Sequence, residues 1–123
     1  MVFSSVSMAQ SMAQSAEEIY DRFLLELKRI LGKVDPHLAV RIMYLEREFA
    51  EVYPSVSLKI KYKERANLDK KRYDLNSRYG FLISSEGHGV LRATGRMNIK
   101  TIEELSSDPH VESMNGSTTP ASY

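Results

Sequence analysis

Apolar residues in the first part of the chain recur at three- and four-residue intervals, whereas those just after Pro54 recur at two. That change of period separates a helical part from a strand-bearing part. Ile19, Phe23, Leu27 and the pair Ile30-Leu31 mark one helix, with Ser15 three residues ahead of Glu18 in capping-box spacing and Gly32 as a left-handed stop. A second helix opens at Asp35-Pro36, an N-cap followed by a proline whose missing N–H costs nothing in a first turn. It carries Leu38, Ile42, Leu45, Phe49 and Val52 on one stripe and ends before Pro54. Joined by so short a link, the two predict a helical hairpin over residues 15–53.

Val56, Leu58, Ile60 and Tyr62 then alternate with Ser57, Lys59, Lys61 and Lys63, the signature of a strand with one buried face. Residues 64–79 carry two signals. Leu68, Leu75 and Tyr79 suit a helix, Tyr73 and Leu75 also alternate, and the helical reading is preferred. A strand over residues 81–84 meets the turn Glu86-Gly87-His88-Gly89, and a third strand follows over residues 90–97. There Leu91, Ala93, Gly95 and Met97 share one face, while Arg92, Thr94 and Arg96 share the other. Thr101 and Glu104 repeat the capping-box spacing before Ile102 and Leu105, Asp108-Pro109 breaks that helix, and residues 111–115 form a fourth strand.

The predicted fold class is therefore α+β: a four-stranded, mainly antiparallel sheet in ferredoxin-like order over residues 55–115, preceded by the N-terminal helical hairpin. Residues 1–14, with a duplicated Ser-Met-Ala-Gln and no basic start, read as a flexible leader and not as a signal peptide. Residues 116–123 read as a flexible polar tail.

Composition narrows the function more than the fold. The 123 residues suit a single domain, here residues 15–115. Seventeen basic against sixteen acidic residues leave a net charge of +1, so any electrostatic preference must come from a local patch. The absence of cysteine removes disulfides, thiolate nucleophiles and thiolate metal sites. No apolar run is long enough to span a bilayer, so no membrane association is expected, and cytoplasmic residence is the expectation.

No catalytic, cofactor-binding or metal-ligating set emerges. His37, His88 and His110 are far apart and lack ligand spacing, whereas a metal site needs three or four converging donors. No G-x-S-x-G elbow is present, the helix carboxylates have basic neighbours, and the glycines follow a hairpin pattern in place of a phosphate loop. The expectation is a non-enzymatic interaction module without a cofactor. One patch stands out: Lys59, Lys61 and Lys63 are predicted to share the free sheet face with Arg92 and Arg96. A basic open sheet is where RNA-recognition domains bind, although those also stack bases on exposed aromatic rings.

The stretch Val90-Leu91-Arg92-Ala93-Thr94-Gly95-Arg96-Met97-Asn98, followed by Thr101-Ile102-Glu103-Glu104-Leu105-Ser106-Ser107-Asp108-Pro109-His110-Val111-Glu112, resembles the second half of subtilisin propeptides. These are protease inhibitors and intramolecular chaperones. The resemblance covers residues 56–123, and its sharpest motif is Leu105 to Val111. It implies a ferredoxin-like fold and an extended carboxyl-terminal tail that lies in a protease cleft, with Pro120, Ala121, Ser122 and Tyr123 as the contacting residues. It also implies a partner, a subtilisin-type protease, on which this chain would act in trans. The basic free face departs from the family, which tends to place acidic groups against its enzyme. The alternatives are a nucleic-acid-binding module using Lys59, Lys61, Lys63, Arg92 and Arg96, or a small assembly domain that forms a homodimer through its helices.

Overall fold

The structure is a computed structural model that describes residues 5–120, with side chains described from Ser15 to Pro120. Four helices and four strands follow in the order α1 (Ser5–Ile30), α2 (Pro36–Glu48), β1 (Ser55–Tyr62), α3 (Leu68–Tyr79), β2 (Leu82–Gly87), β3 (Val90–Arg96), α4 (Ile99–Ser106) and β4 (Val111–Thr119). The strands form one open sheet in the order β2-β3-β1-β4, and every neighbouring pair is antiparallel.

Alternation in β1 decides which side of the sheet is covered. Val56, Leu58, Ile60 and Tyr62 are buried, and they join Leu91 and Ala93 of β3 and Val111 and Met114 of β4. Leu38 and Ile42 of α2, Leu75 of α3, and Ile102 and Leu105 of α4 complete the same core, so these three helices lie on one side of the sheet. Each such aliphatic side chain contributes about 1.5–3 kcal/mol when taken out of water, which is enough to hold short helices that would be marginal alone.

Local chemistry sets the ends of the elements. Asp35 caps α2, its carboxylate accepting from the His37 N–H at 3.1 Å, and Pro36 sits in the first turn. The helix stops at Glu48, short of residue 53, leaving Phe49 exposed and Val52 half-buried. Asn67 caps α3 by accepting from the Lys70 N–H, and Gly80 ends it at φ 73°, a conformation that costs glycine nothing. The ambiguous stretch is thus a helix. Leu75 is the one residue of α3 that is fully buried, which is why its periodicity was faint. The cap of α4 is Asn98 and not Thr101: the Asn98 side chain accepts from both the Thr101 N–H and the Thr101 hydroxyl at 2.9 Å.

Three expectations need correction. Helix α1 begins at Ser5, so Ser15 lies in its interior and residues 5–14 of the supposed leader are helical. Alanine, methionine and glutamine, abundant there, are good helix formers, and no breaker separates them from Ser15. Residues 1–4 lie outside the described residues. Gly32 does not take the left-handed conformation; residues 31–33 form a tight turn closed by the Val34 N–H on the Leu31 carbonyl at 2.8 Å.

The mutual packing of a helical hairpin is not shown either. Ile19 and Phe23 of α1 are exposed, and contact with the core comes from half-buried Leu27 and, just past the helix end, buried Leu31. The α1–α2 link instead runs along the outer edge of β4. The Met114 N–H donates to the Lys33 carbonyl at 2.6 Å and the Asp35 N–H to the Met114 carbonyl at 2.9 Å, a one-residue parallel bridge at Val34.

The third correction concerns the tail. Residues 116–119 belong to β4 and pair with residues 55–58 of β1. Thr118 is buried, its hydroxyl donates to the Ser55 carbonyl at 2.9 Å, and Arg41 Nε reaches the Thr118 carbonyl at 3.2 Å. The run Gly-Ser-Thr-Thr has no apolar period to betray a strand. The exposed edge of β1 nevertheless needs hydrogen-bond partners, and the chain that follows Met114 supplies them.

Candidate functional site

The side of the sheet opposite the helices is polar, and the register shows how its residues meet. Lys59 stands between Arg92 of β3 and Asn115 of β4, Lys61 between Val90 and Ser113, Ser57 between Thr94 and Ser117, and Ser55 between Arg96 and Thr119. Lys59, Lys61, Arg92 and Arg96 therefore share this face. Lys63 lies beyond the end of β1, past the irregularity at Lys61/Tyr62, and its N–H donates to the His110 carbonyl at 2.8 Å. Its side chain borders an open cleft at the sheet end together with Lys61, Glu64, His88 and Glu112.

An acidic residue that the sequence reading treated only as part of a turn sits amid these cations. The Glu86 carboxylate bonds Arg92 Nε and lies 3.7 Å from Lys59 Nζ, while Arg92 Nη1 donates to Ser57 Oγ at 2.6 Å. The hydrogen bond from Arg92 is the main reason the Glu86 carboxyl is held below its ordinary range, with Lys59 adding to it. The available signal was a glutamate six residues ahead of Arg92 across a hairpin turn, a spacing that places the two on adjoining strands. The face is thus mixed in charge and rich in hydroxyls. Tyr62 is the one aromatic residue within the four strands, and it points into the core.

The Leu105 to Val111 motif works as a joint. Leu105 and Val111 enter the core, and the Asp108 carboxylate accepts from the His110 N–H at 2.9 Å and from Lys71 Nζ of α3 at 2.7 Å. Lys33 Nζ adds a bond to the Asp108 carbonyl at 2.8 Å, so the same turn also holds the α1–α2 link. Burial pushes the Asp108 carboxyl up, but the bonds from Lys71 and His110 outweigh it, and the net displacement is downward.

A carboxylate depressed in the folded state adds stability above its unfolded value of about 3.9, and loses that contribution as pH falls through the lower folded value. Asp108→Asn is therefore expected to be less stable than the parent at neutral pH and to lose less on acidification below about pH 4. Urea midpoints measured across that range check this. Parallel curves for the two proteins would sink the assignment.

Between α3 and α4 lies a cleft of about 400 Å³ bordered by Tyr62, Lys71, Asp74, Tyr79, Glu104 and Asp108. The Tyr62 hydroxyl is pushed up to about 12, chiefly by burial and then by the charges of Asp108 and Asp74. Tyr79 is also raised, first by burial and then by its 2.9 Å bond to Glu104. Both phenols are thereby moved further from neutrality. His37 and His88 are exposed at a helix start and a turn, and His110 lies beside Asp108 with Nδ1 at 3.5 Å. Among the described residues no group of three or more histidines and carboxylates is placed to hold a metal ion, and no helix is long and apolar enough to cross a membrane.

Of the tail residues, Pro120 is exposed immediately after β4, and Ala121, Ser122 and Tyr123 lie outside the described residues. Fold and surface together define an α+β domain with an open antiparallel sheet, one face bare and its carboxyl-terminal strand at an edge. Comparison with protein-family models, with curated proteins and with solved structures returned no match.

Proposed function

We propose that this chain is a non-enzymatic protein-binding module of the subtilisin-propeptide type, an inhibitor or folding chaperone of a subtilisin-type protease. The observation that carries the reading is the anchoring of the chain just before its terminal residues. Thr118 is tied to Ser55 and to Arg41 at the edge of the sheet, and Pro120 follows in the open. An edge strand held this firmly is suited to presenting the residues that follow it to a substrate edge, where main-chain hydrogen bonds give affinity, and in this reading Tyr123 is the anchor. The all-antiparallel order β2-β3-β1-β4 with α3 and α4 on one side supports a ferredoxin-like reading of residues 55–119. The mixed charge of the bare face favours a protein over a nucleic acid, since Glu86 occupies Lys59 and Arg92 and no strand aromatic is available for stacking.

The test is inhibition of a panel of subtilisin-type proteases by the full chain and by a chain ending at Thr119. Truncation must stop there, because removal of residues 117–119 would strip pairing from β1. The shortened chain is expected to keep its thermal midpoint and to inhibit at least ~30-fold more weakly, the loss of one ~2 kcal/mol aromatic anchor. Equal inhibition by both chains would remove the tail mechanism, and inhibition by neither would remove the protease.

A further inference from the structure

We propose that α1 is a dimerisation helix, pairing antiparallel with α1 of a second copy of this chain about a two-fold axis at Phe23. The proposal stands independently of the protease reading. Its starting point is an apolar helix face that the domain leaves uncovered: Ile19, Phe23 and Ile30 are 62%, 45% and 66% exposed. With exposed Ala16 and with Leu27, which is half-buried because it also touches the core, they fall within an arc of about 80° on the helix, one stripe in place of scattered side chains. Leu25 alone among the large exposed apolar residues of α1 lies on the charged side. Among the described side chains of α1, Leu27 is the one packed against the core, so tertiary packing, the main source of helix stability in proteins, reaches little of the stripe and a partner would supply the rest.

The identity of the partner is written in the symmetry of the stripe. Ala16 and Ile30 are equidistant from Phe23, as are Ile19 and Leu27. In an antiparallel pair centred on Phe23, each apolar position therefore meets an apolar position of the other copy. The charges obey the same symmetry. Glu17, Glu18 and Asp21 make the amino-terminal half acidic, and Lys28 and Arg29 make the carboxyl-terminal half basic. Antiparallel pairing sets Glu26 beside Arg22 of the other copy along one flank of the stripe, once for each copy, whereas parallel pairing would oppose like charges. Arg29 already holds Glu26 within one helix at 2.8 Å, an exposed pair that leaves the apolar stripe clear. A membrane surface fits less well. Four carboxylates against three cations between residues 15 and 31 give anionic lipid nothing to attract.

Sedimentation equilibrium on the full chain tests this. The unmodified protein is expected to show a concentration-dependent monomer–dimer mass, and Phe23→Glu to raise the dissociation constant at least tenfold with an unchanged domain melting midpoint. Glu26→Lys and Arg22→Glu are each expected to be monomeric alone and to form a one-to-one dimer when mixed, because mixing restores both Glu26–Arg22 flank pairs as charge-opposed pairs. A constant monomer mass for the unmodified chain would overturn the proposal. So would a dimer indifferent to Phe23→Glu, charge variants that fail to rescue each other, or a monomer that sediments instead with neutral phosphatidylcholine vesicles.

Discussion

Replacing Ile60 by alanine is expected to lower the stability of the domain by about 3–4 kcal/mol, from lost transfer energy plus the cavity left behind. Ile60 is completely buried on the central strand, opposite Leu91 on one side and Met114 on the other, with helices packed above it. A residue pinned by neighbours on both adjoining strands has little around it that can collapse into the void. Against a total stability of ~5–15 kcal/mol for a domain of this kind, the loss is a large fraction of the whole. Lys61, the next residue on the opposite face, sets the scale: Lys61→Ala is expected to change stability by no more than ~0.5 kcal/mol. Chemical denaturation of the two variants beside the parent decides the matter. Equal effects would mean that the two faces of β1 are not distinguished as described.

Gly116→Ala is expected to cost about 2–3 kcal/mol and to lower the thermal midpoint by roughly 10 °C. A Cβ at this position would overlap the Ser57 carbonyl oxygen and come within 3.1 Å of Leu58 Cα. Both are backbone atoms of the central strand, so no side-chain rotation relieves the contact and β4 must move away from β1. The same change restricts the unfolded chain and favours folding by ~0.4–1 kcal/mol, too little to offset a backbone clash. Gly95 makes a useful comparison. There an added Cβ meets the Phe81 ring at 2.6 Å, a side chain with some freedom to shift. A Gly116→Ala protein that melts with the parent would show that β4 does not approach β1 this closely, and would return residues 116–119 to the status of a tail.

The parts of this protein legible in its sequence are those whose cause is local. Period placed α2, the body of α1 and β1, because one buried face leaves its imprint at intervals of 3.6 or 2 residues. Asp35-Pro36 marked the start of α2, and the glycines around His88 marked the hairpin, because caps and turns depend on a few adjacent residues. The alternation of β1 and β3 likewise put Lys59, Lys61, Arg92 and Arg96 on one face before any register was known.

Other features depend on residues distant in the chain. Glu86 pairs with Arg92 across their own hairpin, but it reaches Lys59 only because β2, β3 and β1 lie in one sheet. Lys71 and Asp108, 37 residues apart, meet because α3 and α4 cover the same side of the sheet. Residues 116–119 carry no apolar pattern and become a strand because β1 offers an edge with unpaired backbone groups. The stripe of α1 was equally plain in the sequence, but a stripe says only that a face wants burial, not where. The tertiary structure decided that α2 is buried against the sheet while most of the described side chains of α1 are not, since only packing determines which of two amphipathic helices the core has room for.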